Sequence, residues 1–181
     1  MAIFKFYQIY RSIKEELGEN MALKLFPEYL TLQDKMSPQK QAELGRILMD
    51  RMDASLDKET IAKVRQKHCC NTPKKDIAVI KELKSKVNNL DELWEEYSKF
   101  LSPGYVKKES NLLTVSFGWG KCVCAMFRKL NAYEIVSKSW CECCNGNVIK
   151  TYSLICDKIV QSEIVETVAS GGKDCIFKVR V

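Results

Sequence analysis

A chain of 181 residues can bury a core of its own and needs no disulfides to fold. Its composition, 46% hydrophobic and 29% charged, is that of a globular protein, and its net charge of +6 is spread without any block of like sign. These values argue against a nucleic-acid tail, and no apolar stretch is long enough for a bilayer or shaped like a secretory signal.

From the N-terminus the pattern is helical. Ile3, Phe6, Tyr10, Ile13 and Leu17 recur at helical spacing, and Gly18 is placed to stop that helix. Ser37 followed by Pro38 reads as an N-cap and first helical position, with Leu44, Ile47, Leu48 and Met52 on one face. Asp57 reads as the cap of a helix carrying Ile61 and Val64. Pro73 breaks the pattern, and Ile77, Ile80, Leu83 and Val87 mark the next helix. DELWEEYSKFL follows, ended by Ser102, Pro103 and Gly104.

After Gly104 the period changes. Leu113, Val115 and Phe117 alternate as in a strand, and KCVCAMF reads as a second strand beyond Gly118 and Gly120. Residues 147–159 have helical periodicity, with Val148, Tyr152, Ile155 and Ile159 on one side. SEIVETVASGGKDCIFKVRV reads as two strands around Gly171 and Gly172. The expectation is an α+β fold, with a helical segment over residues 1–102. Residues 103–181 then form an antiparallel sheet with a packed helix, in the order strand, strand, helix, strand, strand.

The nine cysteines are the chemical signal. In a cytoplasmic chain, which this one reads as, thiols stay reduced, and such density points to metal binding or redox chemistry. On a strand Cys122 and Cys124 face the same side. Cys141 and Cys144, three apart at a helix start, can share a side, with Cys143 pointing elsewhere, and Cys175 begins the last strand. A tetrahedral zinc site wants four such ligands, and a helix N-terminus favours thiolates. Small buried hydrophobes are the plainer reading of the same cysteines, above all of Cys156. A second cluster joins the sole histidine, His68, to Cys69 and Cys70, with Lys67, Lys74 and Lys75 nearby to lower a thiol pKa. Trp119 and Trp140 flank the cysteine segments as candidate walls of an apolar pocket. No glycine-rich phosphate loop is present.

The segments GKCVC, SWCECCNG and EIVETVASGGKDCIFKV, with HCC upstream, resemble an uncharacterised prokaryotic family with a cysteine signature. The tail also resembles the 4-vinyl reductase-like domain, a small-molecule-binding α+β module. A weaker similarity is to L-2-amino-thiazoline-4-carboxylate hydrolase-like proteins. The resemblance covers roughly residues 65–181. It implies zinc held by Cys141 or its neighbours and by Cys175. Thr167 stands where relatives have a third cysteine, a place that Cys122 or Cys124 can fill.

The expected function is therefore a zinc-binding domain that holds a small apolar ligand, with an iron–sulfur cluster as the alternative cofactor. The expected ligands come from Cys122, Cys124, Cys141, Cys143, Cys144 and Cys175. A thiol- or metal-dependent hydrolase of a small heterocycle and a redox or interaction module are the competing readings. No nucleic-acid or membrane partner is expected, and a homodimer is compatible with the sequence.

Overall fold

The computed structural model describes residues 2–33, 35–124, 126–127 and 135–181. The N-terminal part is a succession of helices: α1 (Ala2–Leu17), α2 (Glu19–Leu25), α3 (Pro38–Ser55), α4 (Lys58–Lys67), α5 (Lys74–Lys86) and α6 (Leu90–Phe100). A 3-10 turn over Pro27–Thr31 follows α2; the sequence reading did not separate either from its neighbours. The expected caps are in place. Ser37 Oγ accepts from the Lys40 backbone N–H, and Asp57 accepts from both the N–H and the hydroxyl of Thr60. Gly18, at φ +84, turns the chain between α1 and α2.

The expected helix faces hold with two changes, at Ile47 and Ile159. Phe6, Tyr10 and Ile13 are buried, while the side chain of Ile3 lies outside the described residues. On α3 the buried stripe is Leu44, Leu48, Met49 and Met52, and Ile47 is turned outward. Ile159 lies beyond the end of its helix and is 91% exposed, because Asp157 closes that helix in the left-handed conformation and redirects the chain.

Four strands follow: β1 (Tyr105–Glu109), β2 (Leu112–Ser116), β3 (Gln161–Glu166) and β4 (Ile176–Arg180). They form one antiparallel sheet in the order β1–β2–β4–β3. Helix α7 (Glu142–Cys156) separates the two strand pairs, so the order strand, strand, helix, strand, strand is present. Val106, Val115, Phe177 and Ile164 align across the four strands on the inner face. The neighbouring outer row is Lys107, Thr114, Lys178 and Glu163. This alternation is that of a sheet packed on one side.

One strand differs from expectation. The partner that precedes the helix is β1, and residues 121–124 and 126–127 form bends and irregular chain; Ala125 lies outside the described residues. β2 already has β1 on one side and β4 on the other, which leaves no edge for a further strand. Gly118 (φ +68) and Gly120 (φ +56) turn the chain away, and the Asp174 carboxylate holds the turn by accepting from the Gly118 N–H at 2.9 Å and from the Ser116 hydroxyl. A Cβ at Gly118 would stand 2.3 Å from the Pro103 carbonyl carbon, so only glycine fits.

A single core runs through the molecule, from Phe6, Phe26 and Met49 in the helices to Leu113, Phe177 and Val179 in the sheet. Among the described residues no helix is long and apolar enough to cross a membrane.

Candidate functional site

The first turn of α7 is where the thiols meet the N-terminal helices. Residues Lys138–Cys141 form a 3-10 turn that leads into α7, and Trp140 on it is buried. Its ring packs on Phe6 (centroids 6.4 Å) and edge-on to Phe127 (5.2 Å), with the Arg65 guanidinium 4.3 Å from its centroid. Arg65 also donates to the Trp140 carbonyl at 3.0 Å. The cation is thereby held inside the protein by a ring face and a carbonyl.

Helix α4 ends at His68, and the chain then crosses α7. The crossing is close because α7 has glycine there: a Cβ at Gly146 would stand 2.9 Å from Cys69 Cβ and 3.1 Å from Gln66 Cα. Asn147 Nδ2 donates to the Cys70 carbonyl at 2.9 Å, and Gln66 donates to Glu142 at 2.7 Å. These bonds seat Cys70 over the first turn of α7.

There the Cys70 and Cys143 sulfurs lie 3.8 Å apart. Lys5, reaching in from α1, donates to the His68 carbonyl at 3.2 Å and stands 3.8 Å from Cys143 Sγ. The Cys143 thiol is held below the usual thiol range. The largest cause is the hydrogen bond from the Cys70 thiol, opposed by burial and reinforced by the charges of Arg65 and Lys5 and by the Cys70 backbone N–H. Cys70 moves the opposite way, because its proton is engaged with Cys143 and burial disfavours a second anion. The pair thus holds one shared proton and one negative charge. Cys143 is buried, whereas Cys70 is exposed. Its place as second residue of α7 puts the sulfur at the positive end of the helix dipole.

The other predicted cysteines make contacts of their own. Cys141 Sγ bonds Thr167 Oγ1 at 3.2 Å, and burial pushes its thiol up to about 12. The next residue, Val168, gives its N–H to Cys175, whose thiol is also raised by burial. Cys122 is pushed up to about 11, again by burial, although the Cys124 N–H donates to its sulfur. Cys144 is raised well above the usual value by burial and by the charges of Cys141, Cys143, Cys124 and Cys70. Cys69 is buried against Gly146, and Cys156 lies half-buried elsewhere on α7.

Zinc would find the donor type it prefers in these thiols. Among the described residues, however, no group of three or more His, Cys, Asp or Glu side chains is arranged to hold a metal ion. His68 Nε2 is buried and has no hydrogen-bond partner among the described residues. Lys67 is bound by Glu15 and Glu16, so the lysine that serves the thiol pair is Lys5. Nothing in the sequence singles out Lys5. Arg65 does leave a trace: four residues after Ile61, it is a cation on the apolar stripe of its helix.

Trp140 is a core residue, and Trp119 is half-exposed beside Phe117. A cleft of about 530 Å³ lies beside β3 and β4, lined by Gln66, Leu112, Ile149, Ser162, Lys178 and Arg180 among others.

The chain belongs to the family of unknown function DUF6144, which it matches over residues 3–181. No curated protein and no solved structure matches it.

Proposed function

We propose that this DUF6144 member is a thiol–disulfide redox protein, acting through Cys70 and Cys143 in a reducing, cytoplasmic compartment. The observation that carries the reading is the 3.8 Å approach of the two sulfurs, with the Lys5 ammonium at the same distance from Cys143. Side-chain rotation closes such a gap to a disulfide bond of about 2.05 Å.

The exposed sulfur meets the substrate. Cys70 gives its proton to Cys143 and attacks one sulfur of a low-molecular-weight disulfide, whose other half leaves as a thiolate. Cys143 then attacks the Cys70 sulfur of the mixed disulfide and passes its proton to the second departing thiol. The protein dithiol supplies two electrons and ends as a Cys70–Cys143 bridge, and the substrate becomes one thiol and one thiolate. Arg65 and Lys5 hold the negative charge of the resting pair.

The likeness of residues 103–181 to the 4-vinyl reductase-like domain belongs to the same proposal. Its support is the strand, strand, helix, strand, strand order, and it favours a small molecule as the substrate. The test is to expose reduced protein to oxidised glutathione, alkylate the remaining thiols and map disulfides by mass spectrometry. The expected result is a Cys70–Cys143 bridge in the wild type and a glutathione adduct stalled on Cys70 in Cys143→Ser. Full alkylation of both cysteines after that treatment, or a metal ion in the purified protein held by these two sulfurs, overturns the reading.

A further inference from the structure

Helix α7 closes at Asp157, and the chain turns back into β3, the edge strand of the sheet. The Val160 N–H donates to Ser153 Oγ at 3.1 Å, and Asn145 Nδ2 donates to the Ser162 carbonyl at 3.1 Å, so the start of β3 is tied to α7. Val160 is buried by this arrangement, whereas Ile159 is left 91% exposed. Ile159 stands on the wall of the cleft of about 530 Å³ beside β3 and β4, with Ile149 and Leu112 as further apolar lining. That volume falls in the range of about 300–1,000 Å³ usual for small-molecule sites. The charged groups of the lining are Lys178, Arg180 and Glu163, which leaves one unit of positive charge. Lys178 has Glu163 as its cross-strand partner on β3. The cross-strand partners of Arg180 are Leu112 and Gln161, both uncharged, and among the described residues its guanidinium has no ion-pair partner. The floor is polar and unsatisfied. Ser162 Oγ, in the lining, and Oδ1 of Asn145, 2% exposed and bonded to the Ser162 carbonyl, are buried and have no hydrogen-bond partner among the described residues. A buried polar atom left unpaired is costly, and a bound polar group relieves it.

We propose that this cleft is a binding site for a small organic monocarboxylate with an apolar body. The carboxylate pairs with the Arg180 guanidinium, whose planar fork presents two parallel N–H donors to two oxygens. The apolar body packs on Ile149 and Leu112 and covers Ile159, the most exposed large hydrophobic side chain among the described residues. The charge of the lining decides between acids. One carboxylate neutralises the single net positive charge, whereas a phosphate dianion would bring a second negative charge to a cleft that already holds Glu163. Cys70 and Cys143 are not among the lining residues, so this site goes beyond the redox reading and does not depend on it.

The experiment is a titration of the reduced full chain, followed by backbone amide NMR shifts, with hydrocinnamate and isocaproate as probes. Hydrocinnamide, propionate and phenyl phosphate are the comparisons. Both probe acids are expected to bind saturably, with the shifts concentrated at Leu112, Ile149, Ile159, Ser162 and Arg180. The neutral amide, which lacks the charge, and propionate, which lacks the apolar body, are expected to bind about ten-fold more weakly or worse. Arg180→Gln is expected to lower hydrocinnamate affinity to that of the amide and to leave the amide unchanged, with Arg180→Lys restoring part of the loss. Ile159→Ser is expected to weaken the acid and the amide alike. Arg180 and Ile159 are exposed, so the thermal transitions of these variants are expected to match the wild type. Absence of saturable binding by either acid, shifts that cluster elsewhere, or hydrocinnamate affinity that survives Arg180→Gln overturns the site. Phenyl phosphate binding more tightly than hydrocinnamate overturns the assignment to a monocarboxylate. Each of these failures leaves the thiol pair standing, because the titration makes and breaks no bond to sulfur.

Discussion

Cys143 owes its charge to four groups from three parts of the chain: the thiol and backbone N–H of Cys70, the ammonium of Lys5 on α1 and the charge of Arg65 on α4. Replacing Lys5 by Met removes a cation at 3.8 Å and is expected to move the pH profile of Cys143 alkylation upward, with Lys5→Arg restoring most of it. An unchanged profile in Lys5→Met would show that the ammonium plays no part. Stability should follow the shared proton. Between about pH 5, where Cys143 of the folded pair loses its proton, and the ordinary thiol range, the unfolded chain holds two protons on these cysteines and the folded pair holds one, so folding gains as pH rises. Above that range the unfolded chain holds none and the folded pair still holds one, so folding loses as pH rises further. The stability difference between wild type and Cys143→Ser is therefore expected to peak near the unperturbed thiol pKa of about 8.5, measured by urea unfolding at a series of pH values. A difference that is flat with pH contradicts the shared proton.

At the scale of elements, the crossing of α4 over α7 decides whether Cys70 reaches Cys143. Gly146→Ala places a methyl group 2.9 Å from Cys69 Cβ and 3.1 Å from the Gln66 backbone. It is expected to cost about 1–3 kcal/mol and to slow formation of the Cys70–Cys143 bridge, read by denaturant unfolding and disulfide mapping. Asp57→Ala removes the cap of the same helix, whose two bonds to Thr60 are 2.8 Å each, and is expected to cost about 1 kcal/mol without altering the thiol pair. These elements were readable in advance to different degrees. Ser37, Asp57 and Pro73 act locally, so the starts of α3, α4 and α5 could be placed from neighbouring residues alone. The strand assigned to Cys122 and Cys124 failed for a non-local reason: β4, arriving from the end of the chain, occupies the edge of β2 that a strand there would need. The cysteine-rich start of α7 was visible in the sequence. Its facing Cys70, across 73 positions of chain, was not, because the pairing depends on Gly146 and on how α4 lies across α7.

For the molecule as a whole, the shared core ties the helical segment to the sheet through Trp140, which packs against Phe6, Arg65 and Phe127. Residues 103–181 expressed alone are expected to lack cooperative unfolding, because Trp140 would lose the cover of Phe6 and Arg65; a sharp thermal transition in that fragment would contradict this. The Cys143–Lys5 contact also reaches beyond the site. With every thiol neutral the chain carries a formal +6, and the resting thiolate cancels one of those charges. Forming the bridge abolishes that anion and leaves Lys5 uncompensated. Reduced and oxidised molecules of identical fold then differ by one unit of net charge, the oxidised one being the more cationic. Cation-exchange chromatography or isoelectric focusing under native conditions should separate the two, turning the redox state of a buried sulfur into a difference in electrophoretic mobility.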